Sequence, residues 1–241
     1  MKYRLVLFDL GGTLINYDNS PWPELGRLGC MEGANFLKNE LGKDISAEVL
    51  NEKLHNAIGR MIESRGNDEF ELDLIDMTTS TLSELGINLT DGLPEKIIAA
   101  YYRPISDQIT LFPYAGEILK KIKDVGMKIG LVSNTIFPAD YHRNEMRSFG
   151  IYNYFNFTIF SSEEKTRKPG KEIYQKALRL GGAEPEETIF IGDRLAEDVG
   201  GPQSVGIKAV LKYIEGRDYS ADIEPLGTIH ELRELENIIF N

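Results

Sequence analysis

The chain has 241 residues, of which 41% are hydrophobic and 27% charged, and this composition excludes wholesale disorder and fibrous structure. Lys and Arg number 27 against 38 Asp and Glu, a net charge of −11. A surface this acidic repels nucleic acid and anionic membranes, so a phosphate-bearing ligand needs local cations, metal ions or backbone N–H groups. Cys30 is the single cysteine, no apolar stretch is long enough to span a bilayer, and the amino terminus runs straight into a strand-like segment. The expectation is a soluble cytoplasmic protein from a reducing compartment.

The first apolar run is Leu5–Leu10. The next stretch, roughly 16–108, offers no strand but several helical patterns. Leu50, Leu54, Ala57, Ile58, Met61 and Ile62 form one, Leu72, Ile75, Leu82 and Leu85 with Gly86 as terminator form another, and a third covers Pro94–Tyr102. Beyond it strand and helix alternate. Pro113 opens a helix carrying Ile118, Leu119, Ile122 and Val125, which Gly126 ends; the run Lys128–Ser133 follows, then Phe157–Ser161. Pro169 opens a helix with Ile173, Ala177 and Leu178 on one face and Gly181–Gly182 at its end. Thr188–Gly192 and Ile207–Leu211 complete the strands, and His230–Phe240 reads as a final helix.

Continuously apolar runs suit strands buried on both faces of a parallel sheet. The pattern predicts an α/β fold, a doubly wound parallel sheet, formed by residues 1–15 and 109–241. Nearly ninety residues between the first two strands far exceed a crossover, and predict an inserted helical domain at 16–108.

In an open parallel sheet ligands bind beyond the carboxyl ends of the strands. Here those ends carry Asp9, Gly11, Gly12 and Thr13; Ser133, Asn134 and Thr135; and Asp193 with Asp198 close behind, while Lys168–Pro169 starts the helix after the third strand. Singly, each is an ordinary cap or turn residue. Together they place three carboxylates, a hydroxyl and a lysine on one rim. Three close negative charges repel unless a cation lies between them, and an oxygen-rich set of this kind suits Mg²⁺ with room for a phosphate.

Taken in order, Asp9-Leu10-Gly11-Gly12-Thr13, Ser133, Lys168-Pro169 and Gly192-Asp193-Arg194-Leu195-Ala196-Glu197-Asp198 resemble the four motifs of the haloacid dehalogenase-like (HAD) hydrolase superfamily. The resemblance covers about residues 4–14 and 113–211, and similar members carry a helical cap after the first motif. It implies a Mg²⁺-dependent phosphatase acting on a small phosphorylated molecule. Asp9 would be the nucleophile and form an aspartyl-phosphate. Mg²⁺ would be held by Asp9, the main-chain carbonyl of Gly11 and Asp193, with Asp198 either a further ligand or a support behind them. The phosphoryl oxygens would be held by Ser133, Asn134 with its neighbouring N–H groups, and Lys168.

One position departs from that pattern. Phosphatases of the family carry a second Asp two residues after the nucleophile, which protonates the leaving oxygen and activates water; here it is Gly11. General acid–base groups contribute about 10²–10⁴-fold, so a slow, leaving-group-sensitive phosphatase is expected, with Asp18 a candidate substitute and a loop carboxylate its plainer reading. Carbon–phosphorus cleavage is an alternative that requires a Schiff-base lysine, for which Lys38, Lys43 and Lys53 stand in the insertion. Carbon–halogen cleavage dispenses with metal, against which the Asp193–Asp198 pair stands. A phospho-acceptor or binding protein without turnover is the non-enzymatic alternative. His55, His142 and His230 form no metal pair by spacing, and Cys30 reads as a packed residue of the insertion. Trp22 reads as packing rather than substrate contact. Arg60, Arg65 and Arg103 are candidates for a second anionic group on the substrate.

Overall fold

The computed structural model describes residues 2–64 and 69–240. The candidate Arg65 lies outside these residues. The chain forms two compact units, one of residues 1–16, 69–71 and 110–241, the other of residues 17–68 and 72–109.

In chain order the elements are β1 (Leu5–Phe8), β2 (Ile15–Asn16), α1 (Trp22–Leu41), α2 (Ala47–Leu50), α3 (Asn56–Ser64), α4 (Leu74–Glu84), α5 (Leu93–Asp107) and β3 (Thr110–Leu111). Then follow α6 (Ala115–Asp124), β4 (Lys128–Ser133), α7 (Ala139–Ser148), β5 (Phe157–Phe160), α8 (Ser161–Glu164), α9 (Lys171–Gly181) and β6 (Thr188–Gly192). The chain closes with α10 (Gly201–Gln203), β7 (Lys208–Lys212), β8 (Gly227–Ile229) and α11 (Leu235–Ile239).

The first unit is an α/β fold. Six parallel strands run in the order β5-β4-β1-β6-β7-β8, and every residue of β1 is buried, as a central strand covered on both faces requires. Register then decides where the chemistry sits. Phe8 lies level with Leu131 of β4 and Ile191 of β6, so Asp9 leaves the sheet at the same height as Val132 and Gly192. Ser133 and Asp193 stand one residue further on. A separate antiparallel pair joins β2 to β3, Ile15 facing Leu111.

Several features depart from the sequence reading or go beyond it. The helix assigned to Pro169 begins at Lys171, with Gly170 as its cap, because Gly170 N–H closes a turn onto Arg167 O at 2.9 Å around a cis Lys168–Pro169 bond. Asp198 lies in a π-helical turn, Leu195–Gly200, that precedes α10. His230–Phe240 is not one helix: a capping box between Glu231 and Glu234 starts a 3₁₀ turn, and α11 covers only Leu235–Ile239. β2, β3 and β8 are additional strands of two, two and three residues.

The second unit is helical. Its largest element, α1, buries Leu25, Gly26, Gly29, Cys30, Gly33 and Leu37. The glycines allow close packing rather than breaking the helix: a Cβ at Gly26 would fall 2.1 Å from the His55 ring, and one at Gly29 2.5 Å from the Tyr101 carbonyl. His55 and Tyr101 are themselves joined, Nδ1 to hydroxyl, at 2.6 Å. Trp22, expected to pack, is 45% exposed and donates its indole N–H to Asp18 at 2.8 Å, because Pro21 and Pro23 fix it at the helix entrance. None of the described helices is long and apolar enough to cross a membrane.

Candidate active site

The rim above β1 gathers Asp9, Asp193 and Asp198. One carboxylate oxygen of each lies within 4.8 Å of the others, and all three residues are buried. Asp9 follows β1 directly, its own N–H bonded to Ile191 O at 2.9 Å, so the sheet fixes its direction. Asp198 is fixed from below: its Oδ2 accepts the N–H of Asp193 and of Arg194, both at 3.0 Å. Gly192 makes that return possible, since a Cβ there would meet the Asp198 carboxylate at 2.3 Å.

Lys168 binds the cluster together. Its ammonium, 1% exposed by residue, donates to Asp9 Oδ1 at 2.7 Å and to Asp198 Oδ1 at 2.5 Å. Burial alone would depress its pKa, but the charges of Asp198 and Asp9 outweigh it and the pKa is raised, which keeps the ammonium protonated. Thr13 offers its hydroxyl to Asp9 Oδ2 at 3.4 Å and Asp193 Oδ1 at 3.5 Å.

The carboxylates feel each other. Burial, then the neighbouring Asp9 and Asp198, push Asp193 up to about 7 against the pull of Arg217 and Arg194. Asp9 is raised by burial, offset in part by Lys168 and reinforced by Asp198. Lys168 is bonded to two of the acids and Arg217 is paired with the third, and the carboxylate oxygens remain crowded together. Such a crowd of oxygen donors could hold a hard divalent cation.

Asn134, expected among the phosphate-binding groups, has another engagement. Its Oδ1 accepts Lys168 N–H and its Nδ2 donates to Lys168 O, both at 2.9 Å. Its side chain holds the Lys168 main chain in place. Ser133, buried at the end of β4, keeps the position that the strand register gives it. Gly11 has no side chain and Gly12 turns the loop at φ +82°, where Lys212 Nζ donates to the Gly12 carbonyl at 3.0 Å.

Several residues of the rim were not identified from sequence. Lys212 ends β7 and so obeys the same strand-end logic; burial brings its pKa down to about 8, and its ammonium lies 3.5 Å from the Phe112 ring centre. Arg217 comes from the irregular chain after β7 and is ion-paired with Asp193. From the same loop the Tyr219 hydroxyl donates to the Asp193 carbonyl at 3.2 Å. Nothing in the sequence marks Arg217, because an irregular loop has no period to read.

The candidates for carbon–phosphorus chemistry gain no support. Lys38, Lys43 and Lys53 are exposed, Lys38 and Lys53 with acidic partners Asp44 and Glu84 at 3.1 and 3.2 Å, whereas a Schiff-base amine needs desolvation to be neutral. Arg60 and Arg103 are exposed and lie near Glu52 and Glu32. Cys30 is buried and its thiol is pushed up to about 12 by that burial, which makes it inert.

Residues 3–206 match the family model described as haloacid dehalogenase-like hydrolase. Among curated proteins, the chain is 24% identical to a glyceraldehyde 3-phosphate phosphatase of Methanopyrus kandleri, over 98% of this chain and 97% of that one. It is 26% identical to pyrophosphatase PpaX of Halalkalibacterium halodurans, over 99% and 98%. Among solved structures, a HAD phosphatase from Thermococcus onnurineus is 27% identical, with a TM-score of 0.65 over 99% of this chain and 97% of its own. A 2-haloacid dehalogenase from Pseudomonas syringae shares the fold at 19% identity, with a TM-score of 0.72 over 99% and 98%.

Proposed function

Since the chain belongs to the haloacid dehalogenase-like hydrolase family, we propose that it is a Mg²⁺-dependent phosphohydrolase acting on a small phosphorylated molecule, with Asp9 as nucleophile. The observation that carries this reading is the convergence of Asp9, Asp193 and Asp198 with Lys168 bonded to two of them. The relatives named for glyceraldehyde 3-phosphate and for pyrophosphate hydrolysis support the phosphatase class. The second unit, residues 17–68 and 72–109, would serve as the cap that selects the substrate.

Asp9, Asp193 and Asp198, with the Gly11 carbonyl, would hold Mg²⁺, which when bound supplies positive charge between carboxylates and phosphate. The chain's own residues account for the rest. Asp9 attacks phosphorus through one carboxylate oxygen; the bond to the leaving oxygen breaks, and that oxygen takes a proton from solvent. Water then cleaves the aspartyl-phosphate, freeing inorganic phosphate and restoring Asp9. Lys168 keeps Asp9 oriented and, with the Ser133 hydroxyl, compensates charge on the phosphoryl oxygens, the chief demand of phosphoryl transfer. Asp198 also holds that lysine, its Oδ1 accepting from Lys168 while its Oδ2 takes the two main-chain N–H groups.

Gly11 cannot donate a proton. Turnover should therefore favour substrates whose leaving group is already acidic, such as aryl or acyl phosphates. The test measures aryl phosphate hydrolysis with Mg²⁺ and with chelator, for the parent, Asp9→Asn and Gly11→Asp. Turnover should require metal, vanish in Asp9→Asn, and become less sensitive to leaving-group acidity in Gly11→Asp. Equal rates in chelator would reject the metal-dependent reading, and a single stoichiometric release of phosphate would point instead to an acceptor protein.

A further inference from the structure

A buried carboxylate outside the aspartate cluster plays no part in the chemistry above. Glu71 comes from the long stretch between β2 and β3, yet residues 69–71 belong to the unit that holds the sheet. Glu71 N–H donates to Lys165 O at 3.0 Å and Arg167 N–H donates to Glu69 O at 2.8 Å, an antiparallel pairing centred on Phe70 and Thr166. That pairing leads directly into Lys168.

The Glu71 side chain is 1% exposed and lies 3.6 Å from Arg167 Nε. It accepts the hydroxyl of Ser161 at 2.6 Å, and Ser161 Oγ in turn accepts the N–H of Thr135 at 2.8 Å. A serine hydroxyl has one hydrogen. Given to Glu71 in a charge-assisted bond, it leaves the oxygen's lone pairs for Thr135. From the other side Thr135 Oγ1 accepts Phe137 N–H at 3.1 Å and contacts His142 Nε2 at 2.7 Å, and His142 Nδ1 lies 3.1 Å from Glu145. Both the main chain and the side chain of Thr135 are thereby anchored, immediately after Ser133 and Asn134.

Burying a carboxylate is costly unless it is well paired, and packing alone would be served as well by an apolar residue. We propose that Glu71 is a positioning residue for phosphoryl binding. It holds in register the two turns that carry Ser133 and Lys168, the first through Ser161 and Thr135, the second through Arg167 and the main-chain pairing. This inference rests on the phosphoryl-binding roles of Ser133 and Lys168 given above.

The test uses the full chain with Mg²⁺ and measures kcat and KM for an aryl phosphate, inhibition by inorganic phosphate, and thermal unfolding. The variants are Glu71→Ala, Glu71→Gln, Ser161→Ala and the double alanine variant. Glu71→Ala and Ser161→Ala should each weaken inhibition by inorganic phosphate about tenfold, the loss expected for a charge-assisted bond, and raise KM in parallel. The double variant should be no worse than Glu71→Ala alone, since both break one chain. Glu71→Gln, which still accepts from Ser161, should recover most of the affinity. A lower unfolding temperature with parent-level KM and inhibition would overturn the inference, as would additive losses. Failure of the parent itself to bind inorganic phosphate would instead sink the phosphohydrolase reading, and this inference with it.

Discussion

The guanidinium of Arg217 is ion-paired with the carboxylate of Asp193, although Asp193 directly follows β6 and Arg217 lies in the irregular chain beyond β7. The Asp193 side chain is 1% exposed and that of Arg217 19%. Severing a buried pair by removing one partner costs about 3–5 kcal/mol, and the partial exposure of Arg217 reduces that to about 1–3 kcal/mol. Arg217→Gln should lose that much in urea denaturation with chelator present. Addition of Mg²⁺ should restore part of it, because a cation bound to the folded state alone stabilises that state.

Lys168 is the stricter case. Its ammonium fits between Asp9 and Asp198 at 2.7 and 2.5 Å, and Lys168→Met would leave two buried carboxylates facing each other. In chelator this variant should be destabilised by about 3–5 kcal/mol and turnover should be undetectable. Lys168→Arg should not restore activity, since a planar fork cannot replace a compact charge between two oxygens. A variant of either kind with parent-like turnover would remove Lys168 from the site.

Gly12 and Gly86 share a left-handed backbone, φ +82° and +67°, but not a neighbourhood. A Cβ at Gly12 would fall 2.5 Å from Asp193 Oδ2 and 2.8 Å from Arg217 Nη2, while at Gly86 nothing lies within 4 Å. Gly86→Ala should cost only about 1–2 kcal/mol for the strained backbone and leave turnover unchanged. Gly12→Ala should cost more in thermal or urea unfolding and lower kcat/KM at least tenfold. Equal behaviour of the two variants would refute the placement of Asp193 against the Gly12 turn.

Alkaline pH should loosen the helical unit. Burial pushes the Cys30 thiol from 9.0 up to about 12, and burial followed by the Cys30 charge raises Tyr101 as well. The folded chain then holds protons that the unfolded chain releases. The stability from Cys30 is complete below pH 9 and drains away as pH climbs towards 12, by up to about 2 kcal/mol once solvent screening is allowed for. Urea midpoints at pH 8, 9.5 and 10.5 under reducing conditions should fall for the parent and fall less steeply for Cys30→Ala. Parallel slopes would show that the thiol titrates as though exposed.

Much of the catalytic unit was legible in the sequence because its strands are buried on both faces. Lys128–Ser133 and Thr188–Gly192 are continuous apolar runs and form β4 and β6 with those same limits. Asp9, Lys168, Asp193 and Asp198 could be grouped because parallel strands bring their carboxyl ends to one rim. The helix α1 was not legible: Gly26, Gly29 and Gly33 look like interruptions until His55, Tyr101 and Leu50 are seen against them. Glu71, Arg217 and the double hold of Asn134 on Lys168 escaped for a related reason. Their partners lie far along the chain, in turns whose shape no local pattern encodes.

The sheet ends on β5 at one side and β8 at the other, four and three residues long. Without Gly227–Ile229, the five-residue β7 would present its unpaired N–H and C=O groups as an open ladder. Such ladders recruit other chains. A chain shortened ahead of residue 227 should therefore bare the longer ladder of β7 and clump more readily through that side, even with every group of the aspartate rim intact.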